Sequence, residues 1–182
     1  MKHNNDLLHK QCVLLTNLNH LPKKVILLHS REEYQHHVPE FILHELCHES
    51  CFDLSKAAYF VDNPDFRCLK GVAGVCKHES GYCEGLKDIW EEPEKFTEYM
   101  EKSEFNKKVR TIERLSMAQD SEESVLNIIA GELDFANPCY FKWPLKHGNS
   151  GLLVIEKNEE TSSFIDEHLP HGVYLLSFCP VH

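Results

Sequence analysis

Short blocks of apolar residues, separated by polar residues, prolines and glycines, run along the whole chain. Their spacing predicts helices where apolar residues recur every three to four positions and strands where β-branched or aromatic residues run together. The predicted helices lie at residues 7–21, from 31 onwards, and at 39–52, 93–102, 103–117, 121–133 and 162–168. The predicted strands lie at residues 24–29, 56–61, 139–143, 152–156 and 173–178, with one more in a loop-rich segment from 66 to 85.

Capping and turn residues mark several of the boundaries. Glu33 follows Ser30 by three residues, which is the capping-box spacing, and this predicts a helix beginning at Arg31. Pro39 suits the first turn of a helix, because the N–H that proline lacks would have no partner there. The Asp-Asn-Pro-Asp turn at residues 62–65 ends the strand that precedes it.

Helices and strands are interspersed, and no low-complexity linker or long repeat divides the chain. We therefore expect one domain spanning residues 1–182, of the α+β class. The expected architecture is a small mixed or antiparallel sheet with four or five helices. The length suffices to bury a substantial core.

The composition is that of a globular protein, with 42% hydrophobic and 26% charged residues. A net charge of −10 repels a phosphate backbone, so we expect no nucleic-acid partner. No apolar run approaches the roughly 18 residues needed to cross a bilayer, and the first residues lack a signal-peptide pattern. We therefore expect a cytoplasmic protein with no membrane partner.

The chain contains eight cysteines and 13 histidines, and these residues add candidate chemistry to an otherwise ordinary composition. In a reducing compartment, cysteines are more often buried thiols, metal ligands or redox groups than disulfides. Five of the eight cysteines lie between residues 47 and 83. The same stretch contains a closely spaced histidine pair.

The segment His44-Glu45-Leu46-Cys47-His48 contains the pattern His-Glu-x-x-His. On a helix, two histidines four residues apart present their imidazoles on one side and can share a Zn²⁺ ion. The segment thereby resembles the zincin class of metallohydrolases, over five residues of the 182. The resemblance implies that His44 and His48 bind zinc, that Glu45 is the catalytic base, and that the substrate is a small molecule or a peptide. It assigns no third ligand.

Neighbouring residues extend the set of candidate ligands. At about 100° per residue, Cys47 and Cys51 fall in the same sector of the predicted helix as His44 and His48. Residues 76–83 repeat the sequence His-Glu-Ser and are also flanked by cysteines. A glycine-rich loop after a strand can fold back onto a helix. The additional candidate ligands are His78, Glu79 and Cys83.

Two functional interpretations follow from these residues. The first is a cytosolic zinc-dependent, peptidase-like hydrolase, for which two histidines, one carboxylate and an open coordination position are suited. The second is a non-enzymatic metal-binding or regulatory protein with a mixed His/Cys site. A third reading needs no metal, because Cys47 and Cys51 can also be small core residues beside hydrogen-bonded histidines.

Overall fold

The structure is a computed structural model of the chain, and it describes residues 2–83, 85–118, 121–156 and 162–179. The helices in these residues are α1 (Lys2–His29), α2 (Val38–Cys47), α3 (Pro93–Lys102), α4 (Glu104–Thr111), α5 (Glu122–Glu132) and α6 (Ser162–Val173). The strands are β1 (Lys56–Asn63), β2 (Cys68–Cys76), β3 (Glu113–Leu115), β4 (Pro138–Pro144) and β5 (Ser150–Glu156). Short 3-10 helices occur at Glu32–His37, Lys146–Gly148 and Tyr174–Phe178.

The five strands form one antiparallel sheet in the order β3-β2-β1-β5-β4. The α+β class and the antiparallel sheet are therefore confirmed, although the described residues contain six α-helices rather than four or five. None of the described helices combines the length and the apolarity needed to cross a membrane.

Alternate residues of the central strands point to opposite faces of the sheet, as strand geometry requires. Tyr59 and Leu153 lie in a core formed with helices α1, α2 and α6. Phe60 and Leu152 lie in a second core, formed with helices α4 and α5. Both cores depend on the same two central strands, so the sheet joins the two layers of helices.

Helix α2 is buried on almost every side, between α1 and the sheet. Its apolar residues Phe41, Ile42, Leu43 and Leu46 are all fully buried. Pro39 lies in its first turn, as the sequence predicts. Because so much of α2 is enclosed, the side chains near its C-terminus are held in fixed surroundings.

Helix α4 packs along the outer edge of β2. Strand β3 pairs with only the first three residues of β2, Cys68 to Lys70. Beyond them, the Gly74 amide donates to Asn106 Oδ1 of α4 at 2.9 Å, and the Gly71 amide donates to the Ile112 carbonyl at 2.9 Å. At Gly71 a Cβ atom would collide with the backbone of α4, so this close approach requires glycine.

Two predictions in the first half of the chain are wrong. Residues 24–29 do not form a strand but are the last turns of α1, in which Leu21, Val25 and Leu28 recur at helical spacing and are buried. The helix expected at residues 39–52 ends at Cys47, because the chain turns back there to bury Phe52 before β1.

Further corrections concern the segments around residues 31, 112 and 175. The helix expected from Arg31 is a 3-10 helix at Glu32–His37. The helix expected at 103–117 ends at Thr111 and is followed by β3. The strand expected at 173–178 is also wrong, because Val173 ends α6 and Tyr174–Phe178 form a 3-10 helix in which Leu175 and Leu176 are buried.

Candidate functional site

The His-Glu-x-x-His segment spans the C-terminal end of α2. His48 is the residue that follows the helix, and its backbone is extended, with φ −61° and ψ 147°. The turn after it is closed by hydrogen bonds from the Cys51 amide to the His48 carbonyl at 2.9 Å and from the Phe52 amide to the Leu46 carbonyl at 3.2 Å. Cys51 therefore lies on this turn, and not on a shared helical face with the other candidate ligands.

The two imidazoles of the segment nevertheless lie side by side. The ring centres of His44 and His48 are 6.1 Å apart. The His44 ring stacks on Tyr82 at 5.6 Å and meets the edge of Phe96 at 5.2 Å. His44 is 7% exposed, and its Nδ1 atom is buried without a hydrogen-bond partner among the described residues.

Burial, with smaller contributions from His48 and Lys77, lowers the pKa of His44 to about 4. Its imidazole is therefore neutral near pH 7. The neutral form is the one that can donate an electron pair to a cation. Asp88 acts in the opposite direction, because its negative charge raises the pKa of His44.

The exposed ring of His48 is fixed through the turn that follows it. Its Nδ1 atom lies 2.8 Å from Ser50 Oγ and 3.2 Å from the Ser50 amide. Asn17 of α1 donates to Ser50 Oγ at 2.9 Å and to the Ser50 carbonyl at 2.8 Å. Helix α1 thus anchors the turn, and the turn positions the imidazole.

Glu45, the base implied by the zincin resemblance, is already engaged. Its Oε1 atom accepts hydrogen bonds from Lys24 Nζ at 3.2 Å and from the indole N–H of Trp90. Lys24 also lies 5.3 Å from the centre of the Trp90 ring, and that ring packs on Phe41 at 5.1 Å. The carboxylate therefore joins α1 to the loop that precedes α3.

The loop after β2 folds back onto the end of α2, as the sequence led us to expect. Lys77 forms an ion pair with Asp53, and its amide donates to the Ser55 carbonyl at 2.9 Å. Burial raises the pKa of the Tyr82 hydroxyl, and the neighbouring Cys47 and Cys83 thiols raise it further. Tyr82 thus lies close to His44 and to both of these cysteines.

All eight cysteines are free thiols. Burial raises the pKa of Cys47 and of Cys51 well above the usual range, and it raises the pKa of Cys83 to about 12. These three groups are therefore protonated near pH 7. A nucleophilic thiolate is not favoured here, and a metal ion would have to displace a proton from each sulfur that it bound.

Glu79 has a structural position at the start of α4. Its Oε1 atom accepts from the amides of Glu104 at 2.5 Å and Phe105 at 3.3 Å. Its Oε2 atom accepts from the hydroxyls of Ser103 at 2.6 Å and Tyr99 at 3.4 Å. Both carboxylate oxygens are thus used to cap a helix, so we do not retain Glu79 among the candidate ligands.

His78 lies apart from the two imidazoles, near Glu156 of β5. Burial opposes ionisation of the Glu156 carboxyl, yet hydrogen bonds and the nearby Lys56 and His78 hold its pKa below the usual value. The repeated His-Glu-Ser sequence therefore places its histidine and its glutamate in two different structural settings.

Sequence reasoning missed four residues of this site: Lys24, Tyr82, Asp88 and Trp90. Asp88 forms a short turn in which its Oδ1 atom accepts from the Trp90 amide at 2.8 Å. That Asp-x-Trp turn is a local signal that the sequence does contain. The stacking of Tyr82 and the position of Lys24 depend on tertiary contacts and carry no such signal.

Within the described ranges, no three His, Cys, Asp or Glu side chains converge closely enough to hold a metal ion. The site thus offers two adjacent imidazoles, one of them neutral and unpartnered, with an aromatic wall and a nearby carboxylate. Comparison with protein-family models, with curated proteins and with solved structures finds no match to this chain. A functional assignment accordingly depends on the geometry of the site.

Proposed function

We propose that this protein binds a transition metal ion, with zinc favoured, through His44 and His48, and that the bound ion has a regulatory role. The observation that carries the proposal is the His44 imidazole, which is buried and neutral, has an unpartnered Nδ1 atom, and lies 6.1 Å from a second imidazole. An unsatisfied buried nitrogen is costly, and a metal ion or a hydrogen-bond donor would relieve that cost.

The separation of the two rings suits a shared ion after a small adjustment. With Zn–N distances of about 2.0–2.1 Å and tetrahedral angles, two ligating imidazoles have their centres about 5 Å apart. The observed 6.1 Å requires an approach of about 1 Å. The exposed His48 side chain is the member of the pair that would move, and the movement would lengthen its contacts with Ser50.

Ser50 holds the His48 ring in one orientation. The Ser50 amide donates to His48 Nδ1 at 3.2 Å, so Nδ1 is an acceptor and the proton of the neutral ring lies on Nε2. Asn17 holds the Ser50 hydroxyl in place at 2.9 Å. Zinc binding at Nε2 would move the proton to Nδ1, which would then donate to Ser50 Oγ at 2.8 Å in place of accepting from the Ser50 amide.

A regulatory role is favoured over hydrolysis because of Glu45. Lys24 and Trp90 both donate to its Oε1 atom, so one of its two oxygens already joins α1 to the loop that precedes α3. In the regulatory role, the ion ties the turn after α2 to the enclosed His44. It thereby orders a surface segment without chemistry on a substrate.

The proposal is tested by measuring Zn²⁺ affinity in competition with a chromogenic chelator. His44→Ala and His48→Ala are each expected to weaken binding by about tenfold or more, since each removes one of two protein ligands. His171→Ala, at an exposed histidine on α6, is the matched control and should bind like the wild type. Equal affinity in all four proteins would show that zinc binds elsewhere or only adventitiously.

Two further variants separate the related interpretations. If the protein shows zinc-dependent peptidase or esterase turnover, and Glu45→Gln abolishes that turnover while it still binds the metal, the hydrolase interpretation would replace the regulatory one. If Cys47→Ser or Cys83→Ser releases the metal while His48→Ala still binds it, the ion would be assigned to the thiols around Tyr82 instead.

A further inference from the structure

Helix α1 reaches the candidate site through two polar side chains at the edge of its buried stripe. Asn17 and Lys24 are seven residues apart, which is close to two helical turns, so they project from the same side of α1. Lys24 donates to Glu45 Oε1 at 3.2 Å, and Asn17 donates to both the carbonyl and the hydroxyl of Ser50. One helix therefore holds two separate points of the site.

The contact at Asn17 is fixed firmly from the side of α1. Asn17 is half-buried, and Leu14 and Leu21, about one turn before it and one turn after it, are 3% and 2% exposed. The Asn17 amide nitrogen lies 2.8 Å from the Ser50 carbonyl and 2.9 Å from Ser50 Oγ, which are good lengths for hydrogen bonds. Because the core fixes the backbone of α1 here, Asn17 cannot follow Ser50 when Ser50 moves.

Ser50 in turn holds the ring of His48. Ser50 Oγ lies 2.8 Å from His48 Nδ1, and the Ser50 amide donates to the same nitrogen at 3.2 Å. A hydroxyl group has one proton and two lone pairs, so Ser50 Oγ can accept from Asn17 and donate to His48 at the same time. Hydrogen bonds thus connect the core-packed helix to the exposed imidazole through a single serine.

These hydrogen bonds hold His48 away from the position that a shared ion requires. The ring centres of His44 and His48 are 6.1 Å apart, whereas two imidazoles that share a tetrahedral zinc have centres about 5 Å apart. His48 must therefore approach by about 1 Å, and a hydrogen bond of normal length does not survive a displacement of that size. Either Ser50 releases the ring, or Ser50 follows the ring and leaves Asn17.

We propose that Asn17 and Ser50 form a latch that restrains the turn after α2 in its metal-free position, so that this contact and zinc binding at His44 and His48 oppose each other. The latch rests on the proposed function, since it regulates the affinity of that same zinc site. Coupling between two equilibria is reciprocal. A change that frees Ser50 from Asn17 therefore tightens zinc binding, and bound zinc weakens the contact between Asn17 and Ser50.

Zinc affinity, measured by competition with a chromogenic chelator, tests the latch. Asn17→Ala is expected to bind Zn²⁺ about threefold to tenfold more tightly than the wild type, which is the range that one neutral hydrogen bond supplies. Loss of a contact that merely supported a metal ligand would weaken binding instead. Thr16→Ala is the matched control and should bind like the wild type, because Thr16 is exposed and its hydroxyl donates within α1, to the Cys12 carbonyl at 2.7 Å.

The side-chain amide of Asn17 gives a second measurement, which needs only the wild-type protein. Without zinc, the NMR resonances of its N–H protons should have the shifts and the slow exchange of a hydrogen-bonded amide. Saturating zinc should move them toward the values of a solvent-exposed asparagine, because the latch then opens. Resonances that saturating zinc leaves unchanged would overturn the latch.

The affinity measurements separate the latch from the proposed function. If His44→Ala and His48→Ala weaken zinc binding, but Asn17→Ala binds zinc no more tightly than Thr16→Ala, the latch is wrong and the metal site stands. If the wild type, His44→Ala and His48→Ala have the same zinc affinity, the proposed function fails and the latch fails with it.

Discussion

One part of the destabilisation of this protein by acid should come from His44. Burial lowers the pKa of the folded-state imidazole to about 4 from an ordinary value of 6.5. Between these two values the unfolded chain binds a proton that the folded chain excludes. The contribution of the neutral His44 to the stability of the fold is therefore fully present above pH 6.5. It declines as the pH falls below that value and is lost near pH 4.

The size of the effect follows from the two pKa values. Moving from pH 7 to pH 5 costs about 2 kcal/mol from His44 alone. That loss is a sizeable share of the 5–15 kcal/mol that separates folded from unfolded states in typical domains. Equilibrium unfolding in urea, monitored by tryptophan fluorescence, should therefore detect this loss of stability.

The comparison uses the wild type and His44→Asn, each unfolded at pH 7 and at pH 5. Asparagine does not titrate, so the loss of stability between the two pH values should be smaller in the variant by about 2 kcal/mol. This double difference cancels any constant cost of the substitution. His171→Asn, at an exposed position, is the control and should lose as much stability as the wild type. If the wild type and His44→Asn lost equal stability, the buried neutral imidazole would be refuted.

Three further substitutions test the contacts around the site, each by urea unfolding. Glu79→Ala removes the cap of α4 and should cost about 1–3 kcal/mol of unfolding free energy, whereas Glu98→Ala at an exposed position of α3 should cost little. Equal costs in the two variants would contradict the capping role of Glu79. Arg110→Ala removes the arginine that pairs with the fully buried Glu40 carboxylate and should cost about 2–4 kcal/mol of unfolding free energy. Much of that loss should be recovered when Glu40→Leu is added, and no recovery would argue against the ion pair. Gly71→Ala should cost about 2 kcal/mol or more and loosen α4, and a neutral result would show that α4 lies farther from β2.

Elements with a strong local signal were predicted well from the sequence. Helix α3 has Pro93 in its first turn and an apolar stripe through Phe96 and Met100, and it occupies the expected residues. Strands β1 and β5 were likewise found within two residues of their expected bounds, because they are apolar runs between clear turn signals.

Elements decided by tertiary contacts were not predicted. Residues 24–29 have the β-branched composition of a strand, yet they continue α1, whose Leu21, Val25 and Leu28 bury one side at helical spacing. Strand β3 has only three residues and exists because Cys68 to Lys70 of β2 lie beside it. The second outcome cannot be read from a local pattern, whereas the first has a helical spacing that the β-branched composition obscured.

The sequence identified the correct region of the chain for the candidate site, but it did not identify the roles of the individual side chains. His44 and His48 are neighbours, and the loop after β2 returns to them through Tyr82. The motif alone could not show that Glu45 is held by Trp90, 45 residues away along the chain. Metal binding by the pair stays a prediction until zinc affinity is measured.

The contact between Asn106 and Gly74 has a consequence for the behaviour of the protein at high concentration. Among the residues that the structure describes, no strand pairs with the outer side of β2 from Gly71 to Cys76, and such an edge is where strands of other molecules add to form aggregates. Helix α4 occupies that edge with a side-chain amide and a backbone carbonyl. Loss of this helix from the edge would therefore expose β2 as a template for intermolecular β-pairing.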